Sequence, residues 1–201
     1  MFALAVLLVC AVSAFSQAPI PFTLTEVSRQ FDASGRLVSE SRFLFAVNRG
    51  GSIVSVDLDP AVGRTRQILD VANARNVLID PNSRSAAITP RRVAPVVARD
   101  SCDERSSPFE GETVTVDRSA GTIHGVPVER VSVESPDGDG FEMYLAPSLG
   151  CHSLKSVSRR KGLLLETMVV EDLRIGDPDP ALFEVPSGYR LTIASLSGTH
   201  K

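Results

Sequence analysis

The chain has 201 residues, with 21 Lys and Arg against 24 Asp and Glu and a net charge of −3. That balance lacks the basic excess of a nucleic-acid-binding surface. The length suffices for one domain with a real core.

Residues 3–15 form an uncharged apolar run, too short to span a bilayer and suited to the central region of a secretory signal. Ala14 and Ser16 supply the small residues a signal peptidase requires. Cleavage is therefore expected after Ser16, with cleavage after Ala14 the close competitor, and residues 1–16 are read as a signal peptide. The usual basic segment before the apolar run is missing, which points to a start further upstream. Leu7-Leu8-Val9-Cys10 is a poor lipidation signal, because Val9 is bulky where a small residue is wanted. No second apolar run reaches spanning length. The expected product is an exported protein, periplasmic or secreted rather than lipid-anchored, with one domain over 17–193 and no transmembrane segment.

Beyond the signal, helical periodicity is almost absent and short alternating runs recur, so the expected class is all-β. Phe22 and Leu24 share one face of the first run, and Val27 and Phe31 the other. Asp32-Ala33-Ser34-Gly35 is a turn, and Leu37, Phe43, Phe45 and Val47 fall on one face of the second run. Asn48-Arg49-Gly50-Gly51 leads into a third strand marked by Val54, Val56 and Leu58. Weaker strands are expected at 67–71, 77–79 and 86–89. From 90 to 111 the pattern collapses into a Pro-rich, charged stretch, read as a long excursion or lid with a short helix over 96–102.

Strands resume at Val114 and Val116, and again at Thr122 and Ile123. Val126 and Val128 have one parity and Val131 and Val133 the other, which implies a bulge near Glu129 and Arg130. Pro136-Asp137-Gly138-Asp139-Gly140 is a hairpin turn, and Phe141, Met143 and Leu145 share a face of the returning strand. The longest run covers 163–175, with Leu163, Leu165, Val169, Leu173 and Ile175 expected on one face. Thirteen residues at ~3.3 Å each span roughly 43 Å, which suits a coiled or barrel-like sheet better than a flat one. Asp179 and Pro180 then start a single helical turn, Leu182 and Phe183 plug a core, and Gly188 bends the chain into a last strand. Residues 194–201 read as a flexible tail.

Chemistry-bearing motifs are missing. There is no nucleophile elbow, no phosphate-binding loop, no dinucleotide fingerprint and no paired-histidine zinc motif. Cys151 and His152 are neighbours on a strand, where adjacent side chains point apart. Asp137 and Asp139 start like a calcium loop, but Phe141 fills the third acidic position and no closing glutamate follows. No enzymatic activity, cofactor or metal is expected. With Cys10 removed, Cys102 and Cys151 remain, and an even pair in an exported chain reads as a disulfide. The alternatives are two free thiols, or a metal site drawing on His124 and His152. A disulfide closing a loop of about 50 residues stabilises by ~4 kcal/mol in the chain-entropy model.

Three stretches carry a family resemblance. They are Gly121-Thr122-Ile123-His124-Gly125-Val126-Pro127-Val128, the segment from Glu142 through Met143 and Tyr144 to Cys151, and Gly176-Asp177-Pro178-Asp179-Pro180-Ala181-Leu182-Phe183-Glu184-Val185-Pro186-Ser187-Gly188-Tyr189. In order and spacing they resemble the LolA/LolB-type lipoprotein carrier superfamily, over roughly residues 115–190. The resemblance implies a strongly curved antiparallel sheet, a half-open β-barrel, with a hydrophobic concavity. The chain departs from the carriers in lacking amphipathic lid helices, and their functional arginine has no counterpart among its arginines. The expectation is a non-enzymatic binder of an acyl chain or lipid, held by Phe43, Phe45, Phe141, Met143, Leu165 and Phe183. The alternative is an envelope scaffold of the same fold whose core is filled and whose partner is another envelope protein.

Overall fold

Alternating β-branched and polar residues, punctuated by Gly, Asn and Asp turns, give strands almost throughout. A computed structural model describes residues 20–61, 63–102 and 111–193. The expected signal (1–16) and tail (194–201) lie outside the described residues. The strands are β1 (Phe22–Phe31), β2 (Leu37–Val47), β3 (Ile53–Asp57), β4 (Arg66–Asp70), β5 (Arg75–Asp80), β6 (Ser85–Pro90), β7 (Thr113–Asp117), β8 (Thr122–Ile123) and β9 (Val126–Pro127). They continue with β10 (Glu129–Glu134), β11 (Gly140–Ala146), β12 (His152–Arg160), β13 (Leu163–Ile175) and β14 (Arg190–Ile193). Single 3-10 turns occur at Pro147–Leu149 and Pro180–Phe183, and the described residues contain no α-helix.

Twelve strands form one sheet in the order β14-β6-β5-β4-β3-β2-β1-β13-β12-β11-β10-β7. All pairings in it are antiparallel except β14 with β6. The end strands β14 and β7 do not meet, so the curved sheet stays open rather than closing into a barrel. Four register shifts leave Val38, Leu154, Leu165 and Glu171 as extra residues in their ladders. Such bulges bend the strand and sharpen its twist, which is how a long β13 is accommodated.

Register divides the side chains between two faces, and the two halves of the sheet bury opposite ones. On the first face Phe22 stands beside Val47, and Leu24 lies between Phe45 and Leu173. They build a core with Leu149 and Leu154, continued by Val131 and Leu145 around the cysteines. On the second face Ala46, Val54, Ile68, Val77 and Ala86 run across β2 to β6 and pack under Leu182, Phe183, Val185 and Tyr189. The opposite faces mix polar side chains with Val27, Val169 and Leu78. Gln67 donates to Asn76 (2.9 Å) behind β4 and β5, and Arg130 lies 3.8 Å from both Asp117 and Glu142 behind β10.

Four local expectations need correction, the first being that Leu37 lies opposite Phe43, Phe45 and Val47 because the bulge at Val38 resets the alternation. Val126 to Glu134 is not one bulged strand. Val128 interrupts it, donating its N–H to the Gly121 carbonyl (3.0 Å), and β9 pairs with β8 in a separate hairpin. The 163–175 residues do not share a face, because the bulges at Leu165 and Glu171 each reset the alternation. Val169 pairs with Val27, and Leu173 with Leu24 on the other side. No helix forms over 96–102, where the Arg99 N–H goes to the Pro147 carbonyl (2.9 Å) instead of a local one.

The closing segment folds as its residues dictate. The Asp179 carboxylate caps the turn by accepting from the Ala181 N–H (2.9 Å), and Pro180 occupies its first position. The Arg66 guanidinium donates to the Ala181 and Leu182 carbonyls (2.8 and 2.9 Å), holding the turn on the second face. Burial pushes the Arg66 pKa down. Phe22, at 0% exposure, should lose ~3–5 kcal/mol on truncation to Ala, measured by urea unfolding. Phe183 is only half-buried, so Phe183→Ala should cost about half of that typical buried-Phe loss.

Candidate functional site

The face carrying Phe22 is covered by irregular chain rather than helices. Residues 91–102 form a strap across it, and the β8–β9 hairpin lies beside the strap, with Ala120, Ile123, Val126 and strap residue Val96 packed on the core. Several contacts attach the strap to the sheet among the described residues. Its Arg91 N–H reaches the Ala74 carbonyl (2.8 Å), Arg99 reaches Pro147, and the Cys102 N–H donates to the buried Glu129 carboxylate (2.8 Å). The covalent attachment is the Cys102–Cys151 disulfide, with both cysteines buried. The pair expected from the sequence is thus bonded, and it joins the excursion to the sheet.

Gly150 allows this close approach. It lies at φ +67°, and a Cβ there would sit 2.6 Å from Val96 Cγ1 and 2.8 Å from the Val97 carbonyl oxygen. The hairpin is seated by His124, whose Nε2 lies 2.8 Å from the Val170 carbonyl.

The expected ligand residues separate into three places. Phe43, Phe45, Phe141 and Met143 share the strap face by register, since Phe43 pairs with Glu26, and Met143 connects through Ser156 and Met168 to Ser28. Phe45, Met143 and Phe43 are half-buried and Phe141 is exposed. Leu165 is the extra residue of a bulge at the tip of the sheet. Phe183 lies on the opposite face, under the closing segment. No single concavity collects all six.

The sequence reading missed a polar pair on the strap face. His152 Nε2 lies 2.7 Å from Glu26 Oε1, and the imidazole packs on the Phe45 ring with centroids 4.5 Å apart. Phe22 flanks both rings, 5.7 Å from His152 and 6.0 Å from Phe45. The two partners are 126 residues apart, and no local spacing signals them.

Cavities of about 210 and 220 Å³ touch Phe141 and Val133, and larger ones lie elsewhere. One of about 540 Å³ and one of about 460 Å³ flank the closing segment, both touching Asp177 and Pro178. Asp177 forms a two-pronged pair with Arg49 (2.6 and 2.8 Å), and this hydrogen bond holds its carboxyl below the usual range. A third cavity, of about 290 Å³, has walls of Phe31, Ala33, Leu163, Leu164 and Leu165 with Arg160 and Lys161 at its rim.

No family model matches the chain, and no curated protein matches it. Solved structures do. A conserved uncharacterized protein from Thermus thermophilus aligns over 87% of this chain and 91% of its own, at a TM-score of 0.53 and 11% identity. MucB aligns over 85% of this chain and 59% of its own, with TM-score 0.47 and 18% identity. A LolA superfamily protein from Nitrosomonas europaea aligns over 85% and 91%, with TM-score 0.35 and 10% identity. Likeness at these identities is one of fold, and its weight rests on the Thermus structure and on the strand order described above.

Gly150→Ala tests the strap's seating. Its positive φ and the backbone oxygen in the way should cost ~1–2 kcal/mol. Limited proteolysis should then cut within 91–102 sooner than in the parent protein.

Proposed function

We propose that this protein is an exported, non-enzymatic binder of an acyl chain or lipid, which it takes up on the strap face beneath residues 91–102. The observation that carries the reading is the mismatch between what is covered and what covers it. On the strap face Phe22 and Leu24 belong to one buried apolar cluster, and Val131 and Leu145 to a second around the disulfide. A segment without regular structure lies over that face, joined to the sheet by a disulfide, and among the described residues it pairs in no strand ladder. Segments of that kind open at low free-energy cost, while the ladder beneath stays intact. An acyl chain would take the place of Val96 on the core and lie along Phe45, Met143 and Phe43, which share that face. The Glu26–His152 pair would then mark the polar end of the site.

The second reading is an envelope scaffold with a filled core. It is favoured by the complete burial of Phe22 and Leu145, both at 0% exposure. Native mass spectrometry of the oxidised protein separates the two. The binding reading expects a bound mass of lipid or fatty acid, lost in a variant carrying Met143→Asp. A protein that remains free of lipid after incubation with fatty acids and phospholipids, yet is recovered crosslinked to an envelope protein, supports the scaffold instead.

A further inference from the structure

One end of the sheet gathers apolar side chains that are exposed among the described residues. At the β1–β2 tip Leu37 and Val38 are 47% and 56% exposed, and at the β12–β13 tip Leu163 and Leu165 are 55% and 39% exposed. β1 lies between β2 and β13, so the two tips are neighbours, with Phe31 paired to Leu37 and walling the cleft that holds Leu163 and Leu165. Bulges account for the exposure of two of them, since Val38 and Leu165 are the unpaired extra residues of their strands. Bulged positions that face water have no packing need for leucine or valine.

Arg160 and Lys161 stand at the cleft, exposed, and among the described residues neither side chain is ion-paired. The acid in the same cleft is Asp32, which is held by Arg36 (3.1 Å) and by the Ser34 hydroxyl (2.6 Å). Asp137 and Asp139 belong to the adjoining β10–β11 turn. Asp137 accepts from Ser135 within that turn, and Asp139 accepts from the Lys161 backbone N–H (2.8 Å). The cleft lining itself thus presents two cations without an ion-pair partner among the described residues, and the Asp137 and Asp139 carboxylates of the adjoining turn have no such partner either.

We propose that these two hairpin tips dock on an anionic lipid bilayer. Leu37, Val38, Leu163 and Leu165 enter the headgroup–acyl boundary, and Arg160 and Lys161 meet the phosphates above it. This surface is remote from the strap face in its residues, and the inference goes beyond acyl-chain binding without depending on it.

The test is sedimentation of the full-length mature chain with vesicles of phosphatidylcholine alone and of phosphatidylcholine with phosphatidylglycerol. Binding should be at least about tenfold tighter to the anionic vesicles and fall at high salt. The variant Arg160→Ser/Lys161→Ser should lose that preference, and Leu163→Ser/Leu165→Ser should reduce binding to both vesicle types. All four positions are exposed or half-exposed, so unchanged thermal melting serves as the control for folding. Equal binding to both vesicles, no binding, or binding unaffected by either variant overturns the proposal. So does saturable binding of monomeric short-chain phosphatidylglycerol without vesicle sedimentation, which would replace the bilayer by a single amphiphile. A protein that carries fatty acid in the mass spectrometer but never sediments fails here alone, and the converse result fails only the acyl-chain reading.

Discussion

Strand β1 is hydrogen-bonded along nearly its whole length to β2 on one side and β13 on the other, and the rest of the twelve-stranded sheet extends from that double ladder. It is also where burial changes sides. Phe22 and Leu24 face the core shared with β11, β12 and β13, whereas Ala46 on neighbouring β2 starts the core that runs to β6 on the opposite face. An open sheet without helices cannot bury both faces throughout, so each half buries mainly one, although Val27 is buried on the other. The strap and the closing segment are the two covers this arrangement requires.

The covers differ in how they are held, and that difference has functional weight. The closing segment is capped by Asp179, clamped by Arg66 and continued into β14, which pairs with β6. The strap has no ladder of its own, and its principal anchor is a covalent bond between residues 49 apart in sequence. A tethered segment that pairs in no strand ladder can leave and return to the same place, because the disulfide limits the chain entropy gained on opening. That combination suits a site that must exchange its contents while keeping its shape.

Much of the fold was legible because its signals are local. The turns at 32–35, 48–51 and 136–140, the capped turn at Pro180 and the alternation in β1 and β11 all follow from neighbouring residues. The site was less legible because it depends on parity. A single extra residue at Leu165 or Glu171 transfers every following side chain to the other face, so Leu165, Val169 and Leu173 cannot be assigned together from spacing. Phe183 and Phe45 likewise look alike as apolar aromatics in the sequence, although the sheet separates them. The Glu26–His152 pair, spanning 126 residues, needs the β1–β13–β12 register before it exists at all. The disulfide was readable only from cysteine arithmetic, and its role as the strap's anchor only from the fold.

The central claim is that the strap opens over an apolar face on a sheet that does not. Amide hydrogen exchange on the oxidised protein, with and without a long-chain fatty acid, measures this most directly. The account predicts that amides of 91–102 exchange at least about tenfold faster than those of β1 and β13, as expected of a locally opening unit. It also predicts that the fatty acid changes protection in 91–102 and β10–β12 while leaving 176–189 unaltered. Protection of the strap equal to that of β1, unchanged by fatty acid, would contradict it and leave a filled core.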